Sequence, residues 1–197
     1  MGEIKSALEI ALERTKSVEG NREAVEADRY QKEGKVIVSK LLSESDFNLK
    51  DSLKGYDKKH LRWVREGMNQ VLLANLVLPQ DQLGLGKLKN VGEAFYSVIN
   101  SKQHLSKMFS QLESFFDEYL QEKERLKEAL QKQYMPRLRQ KEEEMSKKLG
   151  QPVHIDINSD PEYHSLLRRG MAQLEERYGS VLSRVKKDIA AMFDSEK

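Results

Sequence analysis

Over the first fifteen residues Ile4, Ala7, Leu8, Ala11, Leu12 and Thr15 recur at steps of three and four, which lines them along one stripe of a helix. The spacing predicts a helix over about 3–18, punctuated by Gly20 and Asn21. A second helix over about 22–42 carries Val36, Ile37, Val38, Leu41 and Leu42 and is weakened at Gly34. Ser45, Asp46, Asn48, Asp51 and Gly55, scattered among Phe47, Leu49 and Leu53, have the composition of a loop holding one short helical turn. Asp57 is an N-cap in front of Leu61, Val64, Met68, Val71, Leu72 and Leu76, a third helix over 57–78 stopped by Pro79. Because 71–78 is almost continuously apolar, it needs cover on most sides and is placed at the centre of a small core. Gly84 and Gly86 assign 80–90 to a loop, and helix resumes over 91–116.

From Glu93 to Leu149 the chain has no glycine, and Leu105, Phe109, Leu112, Phe116, Tyr119, Leu126 and Leu130 alternate by four and three. Lys123 interrupts this seam, and two successive steps of four through Tyr134 and Leu138 form a stutter. Pro136 lies inside the stutter and cannot donate to the carbonyl of Lys132, which predicts a kink or local unwinding. After Gly150 the alternating Val153, Ile155 and Ile157 make 150–160 an extended connector. Asp160 followed by Pro161 starts a return helix over 161–193, with Ser159 and Glu162 as an alternative capping box. Its seam is Leu167, Met171, Leu174, Tyr178, Val181, Val185, Ile189 and Met192, so the two helices read as an antiparallel, coiled-coil-like hairpin.

If Leu149 faces Pro161 across the turn, Phe193 falls opposite Asp117 and the segment from Ser101 to Phe116 outruns its partner. Phe109, Leu112, Phe115 and Phe116 in that surplus cost roughly 1.5 to 3 kcal/mol each to leave in water, which calls for cover by the amino-terminal helices. The expected architecture is all-α, with a helical base over 1–116 and a hairpin arm over 117–197 about 50 Å long at 1.5 Å per residue.

Composition sharpens this picture. The 197 residues include one threonine, Thr15, and Leu, Ile, Val and Phe supply 50 of them, which supports a thin helical core and argues against a sheet. Mean hydropathy is −0.72, and 34 basic residues face 32 acidic ones for a net charge of +2. Membrane insertion is excluded, and no global field draws in nucleic acid or anionic lipid. The absence of cysteine removes disulfides, thiolate metal sites and thiol catalysis, and fits a cytoplasmic setting.

Candidate chemistry is sparse. Gly84-Leu85-Gly86-Lys87 lacks the spacing and the Ser or Thr of a phosphate-binding loop. No histidine follows another by three to five residues, and no Glu-x-x-His pair is present for a di-iron bundle. His154, Asp156, Asp160 and His164 converge on a divalent ion only if the connector turns tightly, and capping already accounts for Asp160. No residue is singled out as catalytic and no cofactor is called for, so the expectation is a non-enzymatic protein.

The richest local feature is basic and aromatic: Lys50, Lys54, Lys58, Lys59, Arg62 and Arg65, interleaved with Tyr56, His60 and the single tryptophan, Trp63. Such a segment holds phosphates or a partner while rings stack, although Trp63 also adjoins the apolar stripe of its own helix. Lys54, Lys58, Lys59, Arg62, Trp63 and Arg65 are the contact residues it nominates. Seam residues Leu120, Met135 and Leu182, expected to be exposed, favour self-association. The leading expectation is a helical interaction or scaffold protein, a stalk-like or tether-like subunit that binds a protein partner or a second copy as a dimer. The alternative is a nucleic-acid-associated protein using residues 50–65.

Overall fold

The structure, a computed structural model, describes residues 7–44 and 47–196, with side chains from residue 22 onward. Six α-helices and one 3-10 turn make up its regular elements, with no strand among the described residues, so the protein is all-α. The helices are α1 (Ala7–Ser43), α2 (Leu49–Leu53), α3 (Lys58–Asn75), α4 (Gln82–Val98), α5 (Lys102–Leu149) and α6 (Pro161–Ser195). The predicted stripe from Ile4 to Thr15 has its side chains outside the described residues.

Helix boundaries follow the capping chemistry. Asp57 accepts from the His60 N–H at 2.8 Å to open α3, and Asn48 accepts from the Asp51 N–H at 3.3 Å to open α2. Two predicted breaks, at Gly20 and over 80–90, are absent. α1 runs through Gly20 and Gly34, and α4 begins at Gln82 and takes in Gly84 and Gly86. α5 continues without interruption past Pro136, which is exposed. An isolated glycine costs a helix only about 1 kcal/mol, which flanking helix formers and tertiary packing outweigh.

The chain divides into two compact units. The first comprises Met1–Leu76, Asn90–Lys102 and Ala190–Lys197. Its inaccessible side chains are Val38 of α1, Val64, Met68 and Leu72 of α3, and Leu76, Phe95 and Ile99. The expected core segment 71–78 therefore contributes Leu72 and Leu76, while Val77 is exposed.

Within this unit α1 and α3 run side by side in the same direction. Contacts climb both helices together, from Glu23 with Lys59, through Glu26 with His60, to Gln31 with Glu66. Residues 47–57, including α2, lead into α3, with Tyr56 beside Glu33 of α1. At the crossing each helix places a glycine against the other's backbone. A Cβ on Gly34 would stand 2.0 Å from the Val64 carbonyl oxygen, and one on Gly67 would stand 1.9 Å from that of Gln31. Gly34, read from sequence as a weak point, is half of a reciprocal notch that lets two backbones touch.

The second unit comprises Val77–Lys89 and Gln103–Ile189. Here α5 and α6 pair in opposite directions: Glu122 meets Arg177 and Tyr178, Leu126 and Leu130 lie against Gly170, and Tyr134 meets Glu162 and Tyr163. The register differs from expectation, because Lys141, not Leu149, faces Asp160. The connector folds back along the end of α5, with the Val153 N–H donating to Ser146 Oγ at 2.8 Å and the Ile155 N–H to Glu142 Oε1 at 2.9 Å. These side-chain acceptors satisfy the connector's backbone, and α6 starts about two turns further down α5 than a tight turn would place it. Leu120 and Leu182 are consequently buried, at 7% and 5% exposure, and Met135 packs against the Tyr134, Leu138 and Tyr163 cluster. The seam expected to be exposed is therefore closed within one chain, because tyrosines on both helices widen the interface beyond a single stripe.

Candidate functional site: the basic half of the third helix

The first two turns of α3 present two faces with different chemistry. One lies on α1. Lys59 Nζ is 3.2 Å from Glu23 and 3.7 Å from Glu26, and Glu23 chiefly, by accepting its hydrogen bond, raises the lysine pKa. His60 sits between two carboxylates, Nε2 at 3.2 Å from Glu26 and Nδ1 at 3.0 Å from Asp57. The hydrogen bond from the His60 backbone chiefly holds the Asp57 pKa low. Trp63 is 9% exposed, its ring stacked 6.1 Å from Tyr30 with the Lys59 ammonium 4.8 Å over it. Tyr56 donates to Glu33 at 2.9 Å, and burial followed by that carboxylate raises its pKa.

The other face carries Lys58, Leu61, Arg62 and Arg65, spaced so that one helical stripe holds all four. Together with Val98, Asn100, Phe193 and Glu196 they line a cavity of about 240 Å³ inside the first unit. Arg62 Nε lies 3.4 Å from Glu66, while Lys58 and Arg65 make no ion pair among the described residues. The Arg65 Nε–H is sealed from solvent without an acceptor. Glu196 directs its carboxylate at the amino end of α5: Oε2 accepts from the Asn100 N–H at 2.6 Å, and Oε1 accepts from the Ser101 N–H at 2.9 Å and hydroxyl at 2.7 Å. Burial would raise its pKa, but those donors and the charge of Arg65 outweigh it and hold the carboxyl low.

Of the residues nominated by sequence, Lys58, Arg62 and Arg65 converge. Lys59 and Trp63 belong to the α1 contact, and Lys54 pairs locally with Asp51 at 2.6 Å. Asn100, Phe193 and Glu196 complete the cavity and escaped sequence reading, because a wall assembled from positions over 90 residues apart leaves no periodic signal.

The connector residues take up separate duties. Asp160, 3% exposed, accepts from the Glu162 N–H at 2.9 Å as the cap of α6 and from Lys141 Nζ at 2.7 Å. Burial opposes its ionisation, yet Lys141, that N–H and Tyr134 bring its pKa down to about 2. Glu162, the alternative capping-box partner, instead binds Tyr134, Arg137 and Lys141. His154 pairs with Glu142 at 2.8 Å, Asp156 accepts from Asn158, and His164 Nε2 bonds the Asn158 carbonyl at 2.5 Å. The described residues contain no group of three side chains placed to hold a metal ion. None of their helices is long and apolar enough to cross a membrane.

The profile of one protein family, a family of unknown function designated DUF6657, matches residues 50–191. The chain belongs to DUF6657. The match covers α2 to α5 and most of α6, so this DUF6657 chain has its basic face and both hairpin helices inside the family region, with α1 and Glu196 outside it. No curated protein and no solved structure gives a significant match.

Proposed function

We propose that the protein is a non-enzymatic helical scaffold that binds another helical surface, either a protein partner or a second copy of itself. The observation that supports this most is on α1. Val25 and Val36 stand 66% and 54% exposed three turns apart, and with Ile37 and Tyr56 they line an open groove of about 660 Å³. Arg29 with Glu33 and Lys32 with Asp28 form its charged rim. An exposed apolar strip with paired charges beside it suits a helix laid along it. Light scattering after gel filtration, on the full chain and on Val25→Glu with Val36→Glu, tests self-association. Retrieval from the native host with nuclease present tests a foreign partner. A strictly monomeric chain that retains no stoichiometric protein refutes the reading.

Association with nucleic acid is the second reading and draws on Lys58, Arg62 and Arg65 sharing a face. Against it, Lys59 and His60 are matched by carboxylates and Trp63 is stacked inside the α1 contact. Binding to an oligonucleotide that weakens steeply with salt and is lost in Lys58→Glu with Arg62→Glu favours it over the scaffold reading.

A further inference from the structure

We infer that the cavity between α3 and the chain around Asn100 and Phe193 is a binding site for a small organic oxyanion, such as a phosphate monoester or a dicarboxylate. Three cations, Lys58, Arg62 and Arg65, face it from one helix stripe. Two carboxylates stand near them: Glu66 pairs with Arg62, and Glu196, which feels the charge of Arg65, spends its hydrogen bonds on other donors. Glu66 accepts from Gln31 Nε2 at 3.0 Å as well as from Arg62, and both oxygens of Glu196 are taken by Asn100 and Ser101. With Glu66 on Arg62 and Glu196 near Arg65, Lys58 is the cation of this stripe left without an ion-pair partner among the described residues, so the wall keeps a net positive charge. Cations sharing one stripe offer an oxyanion charge-assisted hydrogen bonds, which an arginine fork makes in pairs.

Size and lining restrict the ligand. About 240 Å³ holds roughly eight waters at about 30 Å³ each, room for a short organic anion and too little for a nucleotide. Leu61, Val98 and Phe193 give the cavity an apolar side for the carbon skeleton, and Asn100 adds a neutral amide. The inference stands apart from the α1 groove, so either can fail alone.

The test is isothermal titration of the full chain with phenyl phosphate and with inorganic phosphate at fixed ionic strength. Saturable binding is expected, tighter for phenyl phosphate, and weakened about tenfold by Arg62→Gln and by Lys58→Gln, each removing one charged donor. Both side chains are exposed and neither supports the core, and circular dichroism verifies the fold. Lys87→Gln on α4, which removes one positive charge elsewhere, is expected to bind as the parent does. No saturation through the millimolar range overturns the inference, as does equal weakening by the α4 variant. Equal affinity for both probes, or displacement by a single-stranded oligonucleotide with a steep salt dependence, overturns it too.

Discussion

Replacing Gly34 or Gly67 by alanine sets helix propensity against tertiary contact. Both lie inside helices, where alanine improves intrinsic stability by about 1 kcal/mol. Tertiary contact works the other way. The Gly34 Cβ would stand 2.0 Å from the Val64 carbonyl oxygen and 3.1 Å from the Met68 nitrogen, and the Gly67 Cβ 1.9 Å from the Gln31 oxygen and 2.8 Å from its Cα. All of these are backbone atoms, which no rotamer change can move. Relief requires the helices to part by an ångström or more, loosening the packing of Ile37, Val38, Val64 and Met68. Overpacking of this kind costs about 1 to 3 kcal/mol, and relief by backbone movement belongs at or above the upper end, so a net loss of about 2 kcal/mol per substitution is expected. Since one separation relieves both clashes, the double variant should lose about 1 kcal/mol less than the sum of the singles. Trp63 sits at this contact and is the only tryptophan, so urea unfolding followed by its fluorescence reads the α1 and α3 pair directly. Gly86→Ala and Gly179→Ala, whose added Cβ atoms meet nothing within 4 Å, should be neutral or stabilising. A stable Gly34→Ala or Gly67→Ala, matching those controls, would refute the notch.

Asp160 carries the acid response of the hairpin. With its pKa lowered to about 2 from an ordinary 3.8, its contribution of about 2 kcal/mol is present above pH 4 and lost as pH falls through 2. Asp160→Asn keeps a side-chain cap for the Glu162 N–H but removes the charge that Lys141 faces, so urea midpoints by circular dichroism should fall and lose that acid dependence. An unchanged midpoint at pH 6 contradicts this role. Pro136 is exposed within continuous helix, so Pro136→Ala, which returns an N–H to the Lys132 carbonyl, should stabilise by up to about 3 kcal/mol in thermal unfolding. A destabilised Pro136→Ala would show that the proline shapes a bend the α5 and α6 pairing needs.

Helix type was legible where one face repeats. Leu105, Phe109, Leu112, Phe116 and Tyr119 are buried as their spacing required, and Asp57 and Asp160 cap the helices they precede. Glycine was the misleading signal, since Gly20, Gly34, Gly84 and Gly86 all lie within helices. Glycine marks a turn only when no neighbour rewards continuing the helix, and at Gly34 the neighbour is the α3 backbone. The connector misled for a related reason: Ser146 and Glu142 supply acceptors to Val153 and Ile155, and no periodicity records a side chain that bonds a backbone returning beside it.

The basic stretch from Lys50 to Arg65 was plain in the sequence, but its division was not. Helical spacing alone puts Lys58, Arg62 and Arg65 on one stripe and Lys59 and Trp63 on another. Which stripe meets carboxylates and which borders a cavity depends on Glu23 and Glu26 from α1, and on Asn100, Phe193 and Glu196 from distant segments. Amphipathic period and caps are local, so they specify helices and the faces those helices bury. Partner choice, register and the neutralisation of charge are non-local, because they depend on distances between residues that the chain brings together only by folding.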